Sequence, residues 1–408
     1  MTDPVFGALK IIDCGSYVAG PAAATVFSDL GAEVVKIEPL DGDPLRQLAP
    51  VYPSFFWRMD SRNKKGIALD LKHPTGREVL ERLVRTADVF LTNYRPSLIQ
   101  RLNLEYETLK ELNPRLVYAQ ITGYGLQGDE SERTAFDSTA WWGRSGLQDW
   151  IRPHDGDPAL SAAGMGDHAT SMALFGGISA ALYRRELTGE GTRVYTSLVA
   201  NGAWSHSMSI QAAAAGANWA FEHPRPPRAE GHLNQLYRTQ DDRTILMNVL
   251  NPAKEYLPLL RSLGIDNLIE DERFVNHRTA YENMSELVIE VRRAIRSMSL
   301  VDLRSRFDAH QVTYGFAQKT SEVLDDPQLW ANDVLVSPED PVEGYDRTVS
   351  SPIWIDGVEK VRPKLAPEIG EHNEEVLSGI GFTAAEIDNM RIEGVIGNSV
   401  GEVPGRNK

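Results

Sequence analysis

Apolar runs of four to six residues alternate with amphipathic segments along the first 120 residues, and that rhythm predicts strands and helices in turn. Leu9–Asp13 reads as a strand and Gly15–Pro21 as the turn after it. Pro21 suits the first position of a helix, which runs from Ala22 to Leu30 and is stopped by Gly31. Glu33–Glu38 is the next strand. Further strands follow at Ile67–Leu71, Asp88–Thr92 and Leu116–Ile121, with a helix over Pro74–Arg85 that places Val79, Leu80 and Leu83 on one face. Short strands without a polar face, alternating with helices, predict an open, mainly parallel α/β sheet whose ligand crevice lies beyond the carboxyl ends of the strands. Asn93, Tyr94 and Tyr124 fall at such ends.

A long apolar helix is expected from about His168 to Leu187, closed by Thr188-Gly189-Glu190-Gly191. Val194–Ser197 then reads as a strand and Leu198–Ala215 as a helix. Residues 218–230, with Pro224, Pro226 and Pro227, have the texture of a linker. Beyond it, Leu236–Gln240 and Thr244–Leu250 flank an Asp241-Asp242-Arg243 turn as a hairpin, and charged helices dominate from Lys254 to Ala309. This predicts a large domain over 1–217, a smaller α+β domain over 231–320, and a return to the large domain over 321–408. The return ends in a helix near His372–Leu377 and a tail from Asn398.

Composition narrows the function. The 408 residues carry 42 Lys and Arg against 57 Asp and Glu, a formal charge of −15, which disfavours a nucleic-acid partner. Cys14 is the single cysteine, so a disulfide and a CxxC site are excluded, and its place in an apolar strand reads as core. The histidines, His206, His232 and His310 among them, show no metal-ligand spacing, so no metal is expected. The N-terminus has no signal-peptide pattern, and the longest apolar stretch, Met172 to Tyr183, is too short for a membrane span, so a cytoplasmic location is expected. Gly15-Ser16-Tyr17-Val18-Ala19-Gly20-Pro21 is neither G-x-G-x-x-G nor a P-loop, which removes dinucleotide binding and leaves Glu38 as a solvated strand end.

The chemistry is expected at Gly164-Met165-Gly166-Asp167. Asp167 reads as the N-cap of the long helix, where the dipole favours its ionised form. The residues alone leave two readings: a structural cap, or an exposed carboxylate acting as nucleophile or base. The flanking glycines would let a substrate approach closely. His168, next in sequence, is expected to face solvent or a pocket wall. Trp141, Trp142 and Trp204 are expected in the core or lining an acyl pocket.

Several stretches together resemble the class III CoA-transferase family. They are Val18-Ala19-Gly20-Pro21, Asp29-Leu30-Gly31-Ala32-Glu33-Val34-Val35-Lys36-Ile37-Glu38, Asn63-Lys64-Lys65-Gly66-Ile67-Ala68-Leu69-Asp70-Leu71, Thr122-Gly123-Tyr124-Gly125, Gly166-Asp167, Leu187-Thr188-Gly189-Glu190-Gly191 and Pro367-Glu368-Ile369-Gly370-Glu371-His372-Asn373. The resemblance spans almost the whole chain. It implies a Rossmann-like large domain, a homodimer of interlocked rings, and Asp167 as the catalytic aspartate, with Gly166, His168 and Asp137 as possible supporting residues. Its substrates would be an acyl-CoA and a carboxylic acid acceptor, with coenzyme A thioester as substrate and no tightly bound cofactor.

By the same resemblance Val18, Ala19, Leu69, Leu71, Asn93, Tyr94 and Arg101 match positions lining the CoA site, with Tyr124 nearby. Pro39 stands where relatives have an arginine, so Arg46, Lys72 or Arg95 would meet the phosphates, or else are surface charges. The lid loop of formyl-CoA enzymes falls at Ala229-Glu230-Gly231-His232, which is not glycine-rich and argues against oxalate or formate. The rival within the fold is an α-methylacyl-CoA racemase, whose histidine–aspartate pair corresponds to Phe136-Asp137 here. Phe136 carries no proton, and Asp137 would orient the site or cap a helix. A non-catalytic CoA-binding protein is the alternative of another class.

Overall fold

The computed structural model describes residues 4–48, 54–152, 156–217 and 232–397. The chain divides into two compact units. The first comprises Met1–Pro153, Asp157–Gly216 and Pro327–Lys408, and the second His154–Gly156 and Ala217–Asp326. The segment read as a linker, the lid positions 229–231 and the tail from Asn398 lie outside the described residues.

The first unit is organised on six parallel strands: β1 (Lys10–Cys14), β2 (Glu33–Glu38), β3 (Lys65–Ala68), β4 (Val89–Thr92), β5 (Val117–Thr122) and β6 (Thr192–Ser197). Their order across the sheet is β3-β2-β1-β4-β5-β6, in register pairs such as Ile12↔Val35, Ile12↔Phe90 and Leu91↔Ala119. Successive residues of β1, β2, β4 and β5 enter opposite cores. Ile12, Val35, Phe90 and Tyr118 pack under the Pro74–Thr86 helix and the C-terminal helices, whereas Ile11, Val34, Leu91 and Ala119 pack under the helices Ala19–Asp29 and Met165–Thr188. A sheet covered on both faces needs apolar side chains at every strand position, which is why the strands read as runs rather than alternations. The order reverses between β1 and β4, and the crevice at their carboxyl ends is the expected ligand position.

Several expectations need correction. The first helix begins at Ala19, so Pro21 is its third residue, not its first. Glu38 is buried, not solvated: its carboxylate accepts from Asp43 N at 2.8 Å and Arg46 Nε at 2.7 Å. The helix after β6 is two helices, Leu198–Ser205 and Ser207–Ala214, meeting at His206. Trp204 belongs to neither core nor pocket, being 80% exposed. A further helix, Ser54–Ser61, carries Phe55, Phe56 and Trp57.

The return segment covers the β3 edge. Asn373 Oδ1 accepts from Ala68 N at 3.0 Å while its Nδ2 donates to Gly397 O at 2.8 Å, and Leu69 bridges to Ile396. The expected final helix is Asn373–Gly379, and a second one, Ala384–Ile392, follows it. The second unit carries a three-stranded antiparallel sheet, the predicted hairpin (Leu236–Arg238, Thr244–Met247) joined by Tyr314–Phe316, with helices that include Pro252–Leu263, Met284–Arg296 and Leu300–Ala309 around their own core.

Candidate active site

The turn after β1 is clamped from beneath by buried charges. Lys64 Nζ pairs with Asp13 Oδ2 at 2.9 Å and donates to the Pro21 and Asp60 carbonyls; Lys36 Nζ pairs with Asp43 Oδ2 at 3.0 Å and donates to Gly15 O. All four side chains are almost wholly out of solvent. Burial opposes ionisation of Asp13, but Lys36, Lys64 and the Gly15 amide together hold its pKa below the usual carboxylate value. Asp43 Oδ1 accepts from Tyr17 N at 3.1 Å, and Asn93 closes the turn from β4, accepting from Ser16 N and donating to Ser16 O. Tyr17 is held at φ +61°, a left-handed backbone that bulky residues adopt only when their surroundings impose it. These bonds fix Ser16–Ala19 at the sheet's reversal point.

Asp167 comes to the same place on the helix Met165–Thr188. It is not the N-cap. Gly164, at φ +75°, occupies that position and Asp167 is the third residue of the first turn, its side chain free of any capping bond. Gly166 does not open a path for substrate either. A Cβ there would lie 2.6 Å from Trp141 Cβ and Cγ, so the glycine exists to let the helix press on that indole. Trp141 and Trp142 stack at 6.1 Å and are buried, in a π-helical turn, Ser138–Gly143, of the kind frequent at functional sites. Asp137 caps that turn, accepting from Ser138 N at 2.7 Å, and its other oxygen accepts from Gly166 N at 3.2 Å. His168 is partly open to solvent, as expected, and its Nε2 also meets Asp60 Oδ1 at 3.0 Å.

A cavity of about 300 Å³ brings many of these residues together. Its wall takes Tyr17, Val18 and Ala19 from the β1 turn, Asn93, Tyr94 and Arg95 from the β4 end, and Arg133 and Phe136 from the loop after β5, with Asp167 and Leu198. Tyr17 and Phe136 meet edge to face at 5.7 Å. Leu71, Lys72 and Arg101 line a separate hollow with His73 and Arg77. Leu69 is buried in the core and lines neither. Tyr124 packs beside the tryptophan pair and faces Arg133, whose guanidinium lies 5.4 Å from its ring. Arg46 is committed elsewhere. It forks onto Glu38, donates to Pro367 O at 2.6 Å and stacks 3.7 Å above Trp57, so it is a structural cation.

The electrostatics of Asp167 also depart from the sequence reading of an exposed, ionised acid. Burial, followed by the nearby Asp137 carboxylate, pushes its pKa up to about 7, against a smaller downward pull from His168. The His168 imidazole is raised in turn, first by its bond to Asp60. A carboxyl group poised near neutrality at a cavity wall is a candidate for a functional site. Sequence reasoning missed Asp60, Asp43, Lys36 and Lys64. The available signal was two lysines placed inside or beside otherwise apolar strands, since a cation there is paired or edge-exposed. Among the described residues no cluster of three His, Cys, Asp or Glu side chains is placed to hold a metal, and no helix is long and apolar enough to cross a membrane.

A sequence model described as CoA-transferase family III matches residues 8–373. The chain belongs to that family. It is 31% identical over 400 residues to cinnamoyl-CoA:phenyllactate CoA-transferase of Clostridium sporogenes, covering 95% of this chain and 96% of that one. It is 29% identical over 399 residues to (R)-2-hydroxy-4-methylpentanoate CoA-transferase of Clostridioides difficile, covering 95% and 98%. A solved CaiB/BaiF family protein from Brucella suis shares its fold with a TM-score of 0.80 at 24% identity, over 93% of this chain and 100% of that one. The CoA-transferase III fold thus extends over nearly the full chain.

Proposed function

We propose that the protein moves CoA from an acyl-CoA to a carboxylic acid, with Asp167 as the nucleophile. The observation that carries this reading is the part-buried Asp167 carboxyl at the wall of a cavity at the sheet's reversal point, with a pKa of about 7. An Asp167 oxygen attacks the thioester carbonyl, the C–S bond breaks, and CoA leaves as thiolate from an acyl-aspartyl anhydride. The thiolate attacks the aspartyl carbonyl of the anhydride and the first carboxylate departs, leaving CoA as a thioester on Asp167. The acceptor carboxylate attacks that thioester to form the second anhydride and frees the thiolate. The thiolate then attacks the acceptor's acyl carbonyl, making the product thioester and restoring Asp167. Splitting the exchange this way replaces one difficult step by easier ones, and the tethered thiolate acts at high effective concentration.

The acyl groups expected are apolar 2-hydroxy acids and their relatives. The cavity wall of Tyr17, Phe136, Ile121 and Leu198 suits an aliphatic or aryl side chain, and two relatives are named for phenyllactate and (R)-2-hydroxy-4-methylpentanoate. The CoA pantetheine would run past Val18, Ala19, Asn93 and Tyr94, with Lys72 and Arg101 reached by its phosphates. The family resemblance further supports a Rossmann-like CoA domain and an interlocked homodimer. By the family resemblance Phe136 stands where a racemase has its histidine, and it carries no proton, so the racemase reading lacks its second acid–base group.

The test supplies phenyllactyl-CoA or its 4-methyl-2-hydroxypentanoyl counterpart with a panel of acids in deuterated buffer. Acyl exchange without α-deuterium uptake is expected. Deuterium uptake without exchange supports the racemase, and CoA binding without either supports a non-catalytic protein.

A further inference from the structure

Beside the cavity lies a pair that the transfer chemistry above does not use. Asp60, on the helix Ser54–Ser61, holds His168 Nε2 at 3.0 Å, and its side chain is only 7% exposed. The residue is anchored by its backbone. Its carbonyl accepts from Lys64 Nζ at 2.8 Å and Thr25 Oγ1 at 2.7 Å, so the Asp60 backbone is tied to the same ion network that clamps the β1 turn. The His168 ring is held over Gly164, where a Cβ would stand 3.5 Å from its Cε1, and Ser171 Oγ donates to the His168 carbonyl at 2.8 Å. The bond to a buried carboxylate favours the protonated imidazole and raises the His168 pKa, one residue from Asp167.

We propose that Asp60 is a positioning residue: through its bond to His168 it keeps an imidazolium beside Asp167, and that positive charge keeps the nucleophilic carboxylate available. This rests on the proposed role of Asp167. The sign follows from the groups that face it. Asp137, from the Ser138–Gly143 turn, and Asp60 disfavour a charge on Asp167, and His168 favours it, with Arg95 and Arg133 also bordering the cavity. His168 is in turn faced by Asp60, Asp167 and Asp137. Asp60 alone would therefore hinder ionisation of Asp167. Its help arrives only by way of the histidine, whose effect on Asp167 is the larger of the two.

The experiment follows the full-length protein, Asp60→Asn, His168→Gln and the double variant across pH. Histidine titration by NMR reads His168 directly, without any turnover. The rate at which CoA becomes attached to Asp167 is followed by mass spectrometry. In the wild type His168 should titrate above the ordinary value of about 6.5, and Asp60→Asn should lower it by about one pH unit. In His168→Gln the acid limb of adduct formation should move upward by about half a pH unit, roughly a threefold loss of rate below it. Asp60→Asn should move the limb the same way alone, and not at all or slightly downward in the His168→Gln background. A His168 titration indifferent to Asp60→Asn overturns the inference, as does an equal upward shift in both backgrounds. A wild type that forms no adduct at any pH refutes the nucleophile instead, while the NMR titration still reports on the pair.

Discussion

At the scale of single residues, Asp167 is under opposing demands. To act as the proposed nucleophile it must be ionised, yet burial and Asp137 push its pKa up to about 7. Turnover should therefore rise with pH through about 7 on the acid side, and the rise should be visible in kcat/KM measured with a substrate that does not itself titrate there. The same shift bears on stability. The folded pKa lies above the unfolded one, so between about pH 4 and pH 7 the native state binds the extra proton, and stability falls as pH rises through that window. Asp167→Asn removes this penalty. It should unfold later than the wild type at pH 8, by about 1–2 kcal/mol after allowing for partial exposure, and show little difference at pH 4. Denaturant titrations at the two pH values check it, and equal differences at both would mean the shift is absent.

At the scale of elements, the start of the Met165–Thr188 helix is located by packing, not by capping. Gly166 rests on Trp141 and its N–H donates to Asp137, so the turn that precedes the helix and the helix itself share one interface. Gly166→Ala should force that interface apart, with a loss of about 1–3 kcal/mol in stability. Turnover should fall by about tenfold or more, because a small displacement of the first turn misplaces the carboxylate. Paired denaturation and kinetics measure this, and an alanine variant of unchanged kcat would contradict it. The Gly-Asp element was legible as a candidate site because glycines and an acid precede a long apolar run. Its geometry was not: local pattern assigned the cap to Asp167, whereas the left-handed residue is Gly164 and what fixes the turn is an indole more than twenty positions earlier.

At the scale of the molecule, the strand runs and the alternation with helices were legible because both faces of a parallel sheet are covered. The partners that stabilise the crevice were not, because they join distant segments: Asp13 with Lys64 across 51 positions, and Asp60 with His168 across 108. No local period reports such pairs. The return of the chain to β3 depends on another, Asn373, whose side chain bonds Ala68 N and Gly397 O across the sheet edge. Asn373→Ala leaves both backbone groups buried without that partner and should cost about 2–3 kcal/mol. The unfolding of the first unit, followed by hydrogen exchange at β3 amides, should show the loss there, and unaltered protection would count against the role. The whole arrangement delivers one oxygen to one crevice. After brief incubation with an acyl-CoA substrate, peptide mass spectrometry should find CoA joined as a hydroxylamine-labile thioester to the side chain of Asp167, and Asp167→Asn, with deamidation excluded, should show none. Acyl exchange at full rate with no adduct, or with the adduct on another residue, would contradict the account.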